Sequence, residues 1–249
     1  MMEITSDKYY TEVGPFYPEI SKARSNYLKA VDAIVVSAAQ GCEIKNWLDI
    51  GTGNGKRLCG LMKQISADEV VCLEPSTYMF HEASQNLDKK CTLINKNLAE
   101  YSSDTVSRFS FVTALWNVIG HSEDSIDFLR GAYARLDSEG VLLIDANNRY
   151  NIRQYGLLPV IRNIILDYLG LSSNGIFKLK TNDENAFTYV YISSPHELHK
   201  ACRALEMADF EINFIDYMSG NPADFLTGQM VATISRKKGR FDTIPGKKT

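Results

Sequence analysis

A glycine-rich turn constrains the fold of this chain more than any other stretch. The run from Trp47 to Ile50 leads into Gly51, Gly53 and Gly55, and a segment with helical periodicity follows. Glycine permits positive backbone angles and lets a ligand approach free N–H groups closely. A strand, a tight turn and a helix in this order indicate a nucleotide-binding unit. The dinucleotide fingerprint has its third glycine one position later, where this chain has Lys56.

Predicted strands alternate with predicted helices along most of the chain. The strand-like runs cover residues 46–50, 70–73, 91–94, 109–115, 141–145, 210–217 and 229–234. This alternation favours an α/β fold with a doubly wound, mostly parallel sheet of seven strands and helices on both faces.

The same pattern divides the chain into five segments. They are an irregular arm and a helix from about residue 20 within 1–40, a nucleotide-binding core at 41–150, an insertion at 151–194, the completion of the sheet at 195–235 and a basic tail at 236–249. The insertion carries a predicted helix at 157–169 and a β-hairpin made by 176–180 and 187–192.

Length and composition limit the classes of protein that need consideration. The 249 residues suffice for one large α/β domain with an added cap. A net charge of -3 and a pI of about 5.9 argue against a broad nucleic-acid-binding face. The start of the chain lacks the pattern of a signal peptide, and no apolar run is long enough to span a membrane, so we expect a cytoplasmic protein.

Five cysteines occur without any Cys-x-x-Cys pair, at positions 42, 59, 72, 91 and 202. An odd number of cysteines, most of them inside apolar segments, favours buried free thiols in a reducing compartment. The pattern predicts neither disulfides nor a metal site.

Polar residues stand at the carboxyl ends of four predicted strands, where open α/β sheets bind their ligands. They are the stretch from Asp49 to Gly55, Glu74, Asn97 and Trp116. Glu74 follows the first glycine by about 20 residues, the position at which a carboxylate accepts both ribose hydroxyls. This feature predicts a nucleoside and is shared by sites for NAD and for S-adenosylmethionine.

The stretch from Asp49 to Gly55, with Glu74 after the second strand, resembles the first motifs of class I S-adenosylmethionine-dependent methyltransferases. Within that family, the chain looks similar to the branch that acts on small molecules. The resemblance covers residues 45–150 by motif and the remainder by architecture. It implies that the N-terminal helix is a lid, that the last two strands form a reversed pair at the sheet edge, and that the insertion helps to select the acceptor.

The resemblance also implies how the chain would hold the cofactor S-adenosylmethionine. Asp49 would bind the methionine ammonium, Arg24 its carboxylate, and Glu74 the ribose. The turn residues Gly51, Thr52, Gly53 and Gly55 would pass close to the methionine and sugar, and Trp116 and Asn117 would border the methionine end. The adenine would meet Pro75, Met79, Asn97 and Leu98; the family usually has Asp where this chain has Asn97.

Methyl transfer from a sulfonium is an in-line displacement that depends chiefly on positioning, so no catalytic triad is expected. An amine acceptor would still need a group to take its proton. His121, in the loop after the fourth strand, is the candidate base. Tyr10, Tyr17 and Tyr150 are candidates to supply hydroxyls or aromatic faces.

At this stage the acceptor is expected to be a small molecule that is methylated on nitrogen or oxygen, and its identity stays open. The protein is expected to be a monomer or a homodimer. The alternatives are a methyltransferase acting on RNA or protein, an NAD(P)-binding oxidoreductase, or a cofactor-binding protein without turnover. The glycine spacing argues against the oxidoreductase. DNA amino-methyltransferases carry Asn/Asp-Pro-Pro-aromatic after the fourth strand, where this chain has Leu115 to Val118.

Overall fold

The seven strands predicted for the main sheet all form, in the predicted chain order. The computed structural model describes residues 2–122, 124–171, 175–181, 184–206 and 208–237. The elements up to the glycine turn are β1 (Met2–Glu3), α1 (Ser6–Val13), α2 (Tyr17–Ala23), α3 (Ser25–Gln40) and β2 (Asn46–Ile50). The core continues with α4 (Lys56–Met62), β3 (Glu69–Leu73), α5 (Thr77–Asn86), β4 (Cys91–Ile94), α6 (Leu98–Asp104), β5 (Phe109–Ala114), α7 (Ser125–Ala134) and β6 (Leu136–Ala146). The remaining elements are α8 (Ile152–Tyr155), α9 (Leu157–Tyr168), β7 (Ile176–Lys180), β8 (Ala186–Tyr191), α10 (Pro195–Arg203), β9 (Asp209–Ile215) and β10 (Gln229–Ser235).

The main sheet has seven strands in the order β4-β3-β2-β5-β6-β10-β9, which confirms the predicted α/β class. Strands β2 to β6 pair in parallel, and β10 runs antiparallel to both β6 and β9. The reversed strand is thus β10, which lies between β6 and the edge strand β9. The strand order reverses between β2 and β5, so a ligand crevice is expected above the carboxyl ends of these two strands.

Helices pack on both faces of the sheet through two apolar clusters. One face is covered by α3 and α4, with Val31, Val35, Leu58 and Leu61 buried against the strands. The other is covered by α6, α7 and α10. Because both faces are covered, the central strands are nearly continuous apolar runs, and β5 is buried throughout.

The irregular N-terminal arm that the sequence predicts is wrong for residues 6–13, which form α1. The Thr5 side chain caps this helix by accepting a hydrogen bond from Lys8 N at 3.3 Å. Tyr9 and Val13, one turn apart, are buried in a small cluster with Ala186. Tertiary packing of this apolar pair therefore orders a segment whose composition is typical of a loop.

The single helix predicted from residue 20 is also wrong at its start. Two helices, α2 and α3, meet at Arg24, whose φ of -114° and ψ of 16° are not helical. The break lets α2 lie beside the glycine turn while α3 packs Tyr27, Val31 and Val35 against the sheet.

A buried arginine fixes the insertion to the core. Arg149 follows β6, is fully buried, and pairs with Asp167 of α9 and Glu197 of α10, each at 2.6 Å. The insertion contains the predicted helix and the predicted hairpin of β7 and β8. β1 extends the hairpin by pairing in parallel with β8, so the N-terminus and the insertion share a three-stranded sheet.

Membrane-spanning helices, metal-ligating clusters and disulfides can be assessed only for the residues that the structure describes. None of the helices in this part of the chain has the length and apolar character needed to cross a membrane. No cluster of three metal-ligating side chains occurs among the described residues. The five cysteines are free thiols. Residues 238–249 of the predicted basic tail lie outside the described residues.

Candidate active site

The glycine turn has the strained backbone that its sequence predicts. Gly51, Gly53 and Gly55 have φ angles of 72°, 61° and 77°, a region that favours glycine. The N–H groups of Gly51 and Thr52 donate to Leu73 O at 2.7 and 3.0 Å, which ties the turn to the end of β3. A Cβ on Gly51 would come within 2.5 Å of the Val118 side chain, so a larger residue would clash as well as strain the backbone.

Glu74 lies directly after β3 and is joined to this turn. Its Oε2 accepts a hydrogen bond from Gly53 N at 2.6 Å, and its Oε1 accepts one from Ser76 N at 2.9 Å. Burial raises the pKa of Glu74 to about 7, although both N–H donors favour the charged form. Each oxygen keeps a lone pair for a further donor.

Asp49 lies near the end of β2, just before the glycine turn. Its carboxylate accepts hydrogen bonds from the Thr113 hydroxyl at 2.5 Å and the Thr52 hydroxyl at 2.8 Å. Burial raises the pKa of Asp49, and the two hydroxyls and the nearby Arg57 act in the opposite direction.

A cavity of about 490 Å³ lies above these strand ends. Helices α2 and α3 form one wall, and the glycine turn with α4 forms the other. Asp49, Gly51, Thr52 and Gly53 line it together with Arg57, and the Trp116 and Tyr17 side chains close one end. The cavity therefore occupies the crevice that the strand order predicts.

Arg57 lines the cavity, and it is not among the site residues that the sequence predicts. Its Nε donates to Asp32 of α3 at 2.7 Å, while Nη1 and Nη2 are buried with no hydrogen-bond partner among the described residues. Two parallel unpartnered donors on a guanidinium suit a carboxylate ligand. The available signal was a cation two residues after Gly55, on the first turn of a helix whose next residues are apolar.

Arg24, the predicted carboxylate ligand, does not line this cavity. Its guanidinium lies 4.3 Å from the centre of the Tyr217 ring and donates to Met218 Sδ. The position of Arg24 at the break between α2 and α3 turns its side chain away from the glycine turn.

Trp116 and Asn117 form a second strained turn, after β5, with φ angles of 68° and 57°. Asn117 N donates to Asp145 Oδ1 at 2.8 Å, and Asn117 Oδ1 accepts from Asn147 N at 2.9 Å. The turn directs the Trp116 ring toward Tyr17, with 5.1 Å between ring centroids. Asn117 thus acts on the site by holding Trp116 in position.

Tyr17, at the start of α2, presents its hydroxyl without a hydrogen bond to any described residue. Burial raises the pKa of Tyr17, and the charges of Arg57, Glu74 and Asp145 all act on it. The structure therefore places this predicted side chain in the lining of the cavity, beside Trp116.

His121 belongs to the short 3₁₀ turn after Trp116 and contacts the N-terminal arm. Its Nε2 lies 2.9 Å from the Tyr10 hydroxyl, and its Nδ1 is buried without a partner in the described part of the chain. Burial lowers the pKa of His121 to about 4, so the ring is neutral at pH 7. This geometry links α1 to the core, and a neutral ring with such a low pKa is a weak base.

Tyr150, the third predicted catalytic residue, lies in the network of Arg149 and does not line the cavity. Its hydroxyl donates to Asp167 at 2.5 Å. This hydrogen bond attaches the Tyr150 side chain to α9.

The residues predicted for the adenine lie near the ends of β3 and β4, outside the lining of the cavity. Pro75 is exposed, Met79 is buried in α5 and Leu98 is buried in the core. Asn97 caps α6 by accepting from Glu100 N at 2.9 Å. The Asn97 amide oxygen keeps one lone pair.

Comparisons with known proteins agree with this architecture. A family model described as a methyltransferase domain matches residues 21–213. A search of curated protein sequences gives no match. Among solved structures, the plantazolicin methyltransferase BpumL in complex with SAH aligns with a TM-score of 0.61 and 16% identity, covering 92% of this chain and 91% of that one.

Two further solved structures have the same fold at similarly low identity. The DhpI–SAM–HEP complex aligns with a TM-score of 0.61 and 16% identity, covering 91% of this chain and 92% of that one. A "possible histamine N-methyltransferase" from Thermotoga maritima gives 0.59 and 14%, covering 92% and 99%. Since the family model spans most of the chain and the fold agrees with it, the chain belongs to the methyltransferase-domain family and has the class I fold.

Proposed function

We propose that this chain transfers the methyl group of S-adenosylmethionine to a nitrogen or oxygen atom of a small-molecule acceptor. The observation that carries the proposal is the set of polar groups around the cavity. Asp49 and Arg57, with its unpartnered Nη atoms, line the cavity, and the Glu74 carboxylate, which does not line it, is bonded to the lining residue Gly53. The donor has an ammonium, a ribose diol and a carboxylate, which are the groups that these side chains suit.

The three assignments follow from charge and free bonding capacity. Asp49 binds the ammonium, since it is the carboxylate below the turn. Glu74 accepts from the ribose hydroxyls with the lone pairs that Gly53 N and Ser76 N leave free. Arg57 replaces Arg24 as the ligand of the methionine carboxylate, because its buried donors have no other partner.

The rest of the cofactor site is proposed from the family resemblance. Gly51, Thr52, Gly53 and Gly55 give the donor close access to the backbone, and Trp116 borders its methionine end. The exposed Pro75 and Asn97 contact the adenine, whereas the predicted Met79 and Leu98 are buried and do not reach it. The remaining lone pair of Asn97 Oδ1 suits the adenine amino group.

The donor supplies an activated methyl group, so the chain needs no covalent intermediate. Its own residues contribute by orientation and by exclusion of water. Arg57 and Glu74 hold the methionine carboxylate and the ribose of the donor, and the Tyr17–Trp116 pair lines the cavity beside them. Orientation of this kind supplies roughly 7–11 kcal/mol in favourable systems.

Proton removal from an amine acceptor does not require His121 in this proposal. The pKa of His121 is lowered to about 4 by burial, so the ring takes a proton only weakly near pH 7. His121 instead holds Tyr10, and thereby α1, over the site. The acceptor reaches the site as a neutral amine or a hydroxyl compound.

The similar structures support a small acceptor, since they are named for plantazolicin, HEP and histamine. Their identity to this chain is too low to carry any one of these acceptors over. The acidic pI also favours a small acceptor over RNA.

The decisive experiment measures the transfer of radiolabelled methyl from S-adenosylmethionine to fractionated pools of metabolites, total RNA and protein. We expect label in the metabolite pool. Glu74→Ala should abolish transfer, whereas Glu69→Ala, which removes an exposed carboxylate from the same strand, should not. Binding of S-adenosylhomocysteine without transfer to any pool would favour a non-catalytic protein. Absence of both binding and transfer would contradict the proposal.

A further inference from the structure

The outer face of α9 is apolar and exposed. Its side chains retain between 44% and 90% of their accessible surface, and they are Leu157, Leu158, Ile161, Ile165, Tyr168 and Leu169. Their spacing places most of them on one side of the helix. We call this surface the α9 patch, and Leu171 and Ile176, both more than half exposed, continue it.

Two of the three charged or amide residues of α9, Asp167 and Asn163, point inward, and the third, Arg162, is exposed beside the patch. Asp167 pairs with Arg149, and Asn163 donates to the Arg149 backbone oxygen at 3.2 Å. Only Val160 and Asn163 of this helix are fully buried. A helix that is apolar on nearly all sides is normally covered on all sides, so the described part of the chain leaves α9 half covered.

We propose that a second copy of this chain covers the α9 patch and that the protein is a homodimer across it. A fully buried aliphatic side chain removes roughly 60–120 Å² from water, so the partly exposed side chains of the patch present about 500 Å² of apolar surface. A stable interface of standard size buries about 800 Å² per partner, and at the roughly 65% apolar share of homodimers this corresponds to about 500 Å² of apolar surface.

Charge favours a second copy over a membrane or a charged partner. Arg162 is the only charged residue of α9 besides the inward-facing Asp167. Helices that bind membrane surfaces carry several Lys and Arg residues on their polar face, and the net charge of -3 opposes an anionic surface. An apolar face with a single charged residue at its border is complementary to itself across a two-fold axis.

The ion pairs and hydrogen bond below α9 hold the helix in a fixed position on the core. Arg149 ties Asp167 to Glu197, and Tyr150 adds a hydrogen bond to Asp167, so α9 is fixed to the core. A surface that is already ordered loses little conformational entropy on association. The helix is about 18 Å long, which is sufficient for an antiparallel contact with its copy.

Sedimentation equilibrium of the full chain tests the inference. We expect a mass of twice 28.0 kDa at concentrations from roughly 1 to 200 µM. Leu158→Glu with Ile165→Glu should sediment as a monomer with an unchanged circular dichroism spectrum. Val106→Glu, at an 88% exposed apolar residue between α6 and β5, is the matched control and should remain a dimer.

A milder variant distinguishes a weakened dimer from a loss of folding. Leu158→Ser should raise the dimer dissociation constant at least about tenfold while the melting temperature of the monomer is retained. A wild-type chain that is monomeric over the whole range would overturn the inference. So would a folded double variant that remains dimeric, or wild-type flotation with phosphatidylcholine vesicles that the double variant loses.

Discussion

Arg57 and Arg24 differ in what their guanidinium groups contact, and this difference predicts their effect on cofactor affinity. Arg57→Met should weaken the binding of S-adenosylhomocysteine roughly a hundredfold, since truncating one partner of a buried charged pair costs about 2–5 kcal/mol. The affinity for 5′-methylthioadenosine, which has no carboxylate, should not change. Isothermal titration calorimetry with both ligands measures the difference.

Arg24→Met is the matched control. The Arg24 guanidinium stacks on Tyr217, so the affinity for S-adenosylhomocysteine should change by less than about threefold. Equal losses of both ligands in Arg57→Met would show that Arg57 acts only on the fold. A selective loss of S-adenosylhomocysteine in Arg24→Met would return the role to the residue that the sequence predicts.

Glu74 should make cofactor binding depend on pH near neutrality. Its pKa is raised by burial to about 7, so Glu74 takes up a proton as the pH falls through that value. The protonated carboxyl accepts fewer hydrogen bonds from the ribose, and the affinity for S-adenosylhomocysteine should be about tenfold lower at pH 6 than at pH 8. Titration calorimetry across this range gives the profile.

Glu74→Gln separates this effect from other groups, because Asp49 also has a pKa raised by burial. The variant should bind weakly at every pH and lose the step near pH 7. A wild-type profile that is flat between pH 6 and pH 8 would contradict the assignment of Glu74 to the ribose.

The break between α2 and α3 decides which side chains of the N-terminal segment reach the cavity. Ala23, Arg24 and Ser25 contain neither glycine nor proline, so no local signal marks the break. The packing of α3 on the sheet and of α2 beside the glycine turn produces it. A continuous helix gives Arg24 a different direction, which is why the sequence predicts Arg24 at the cavity whereas the structure places it over the Tyr217 ring.

Two tyrosines on different elements should respond in opposite ways to removal of the hydroxyl. Tyr150→Phe loses a hydrogen bond to the charged Asp167 and should destabilise the protein by about 1.5 kcal/mol, or roughly 3–6 °C. Its turnover should stay close to that of the wild type. Tyr17→Phe should retain the melting temperature and lower turnover, since Tyr17 lines the cavity and its hydroxyl makes no hydrogen bond to a described residue.

Differential scanning fluorimetry and methyl-transfer kinetics on both variants provide the comparison. Loss of turnover in Tyr150→Phe at unchanged stability would restore the catalytic role that the sequence predicts for Tyr150. A large fall in the melting temperature of Tyr17→Phe would make Tyr17 a packing residue.

Some parts of this candidate site are formed by residues close together in the sequence, and other parts depend on residues that are far apart. The glycine turn and Glu74 are set by a strand, a turn and a following strand end, so residue type and spacing are sufficient to find them. The proposed role of Arg57 depends on Asp32, 25 residues earlier, which accepts from Nε and leaves the Nη atoms without a partner among the described residues. His121 likewise depends on Tyr10, 111 residues away. Contacts of this kind follow from the packing of elements, which a single sequence does not specify.

Ligand binding at a site shared by α3, the glycine turn and the strand ends should stabilise the whole molecule. S-adenosylhomocysteine at 100 times its dissociation constant adds about 2.7 kcal/mol, which should raise the melting temperature by roughly 5–11 °C. NAD at the same concentration should produce no shift, because the turn lacks the third glycine position of a dinucleotide site. In Arg57→Met the same concentration of S-adenosylhomocysteine should give a shift of only about 1 °C, since a hundredfold weaker site is half occupied. A shift with NAD, or an equal shift in Arg57→Met, would contradict the cofactor site proposed for this chain.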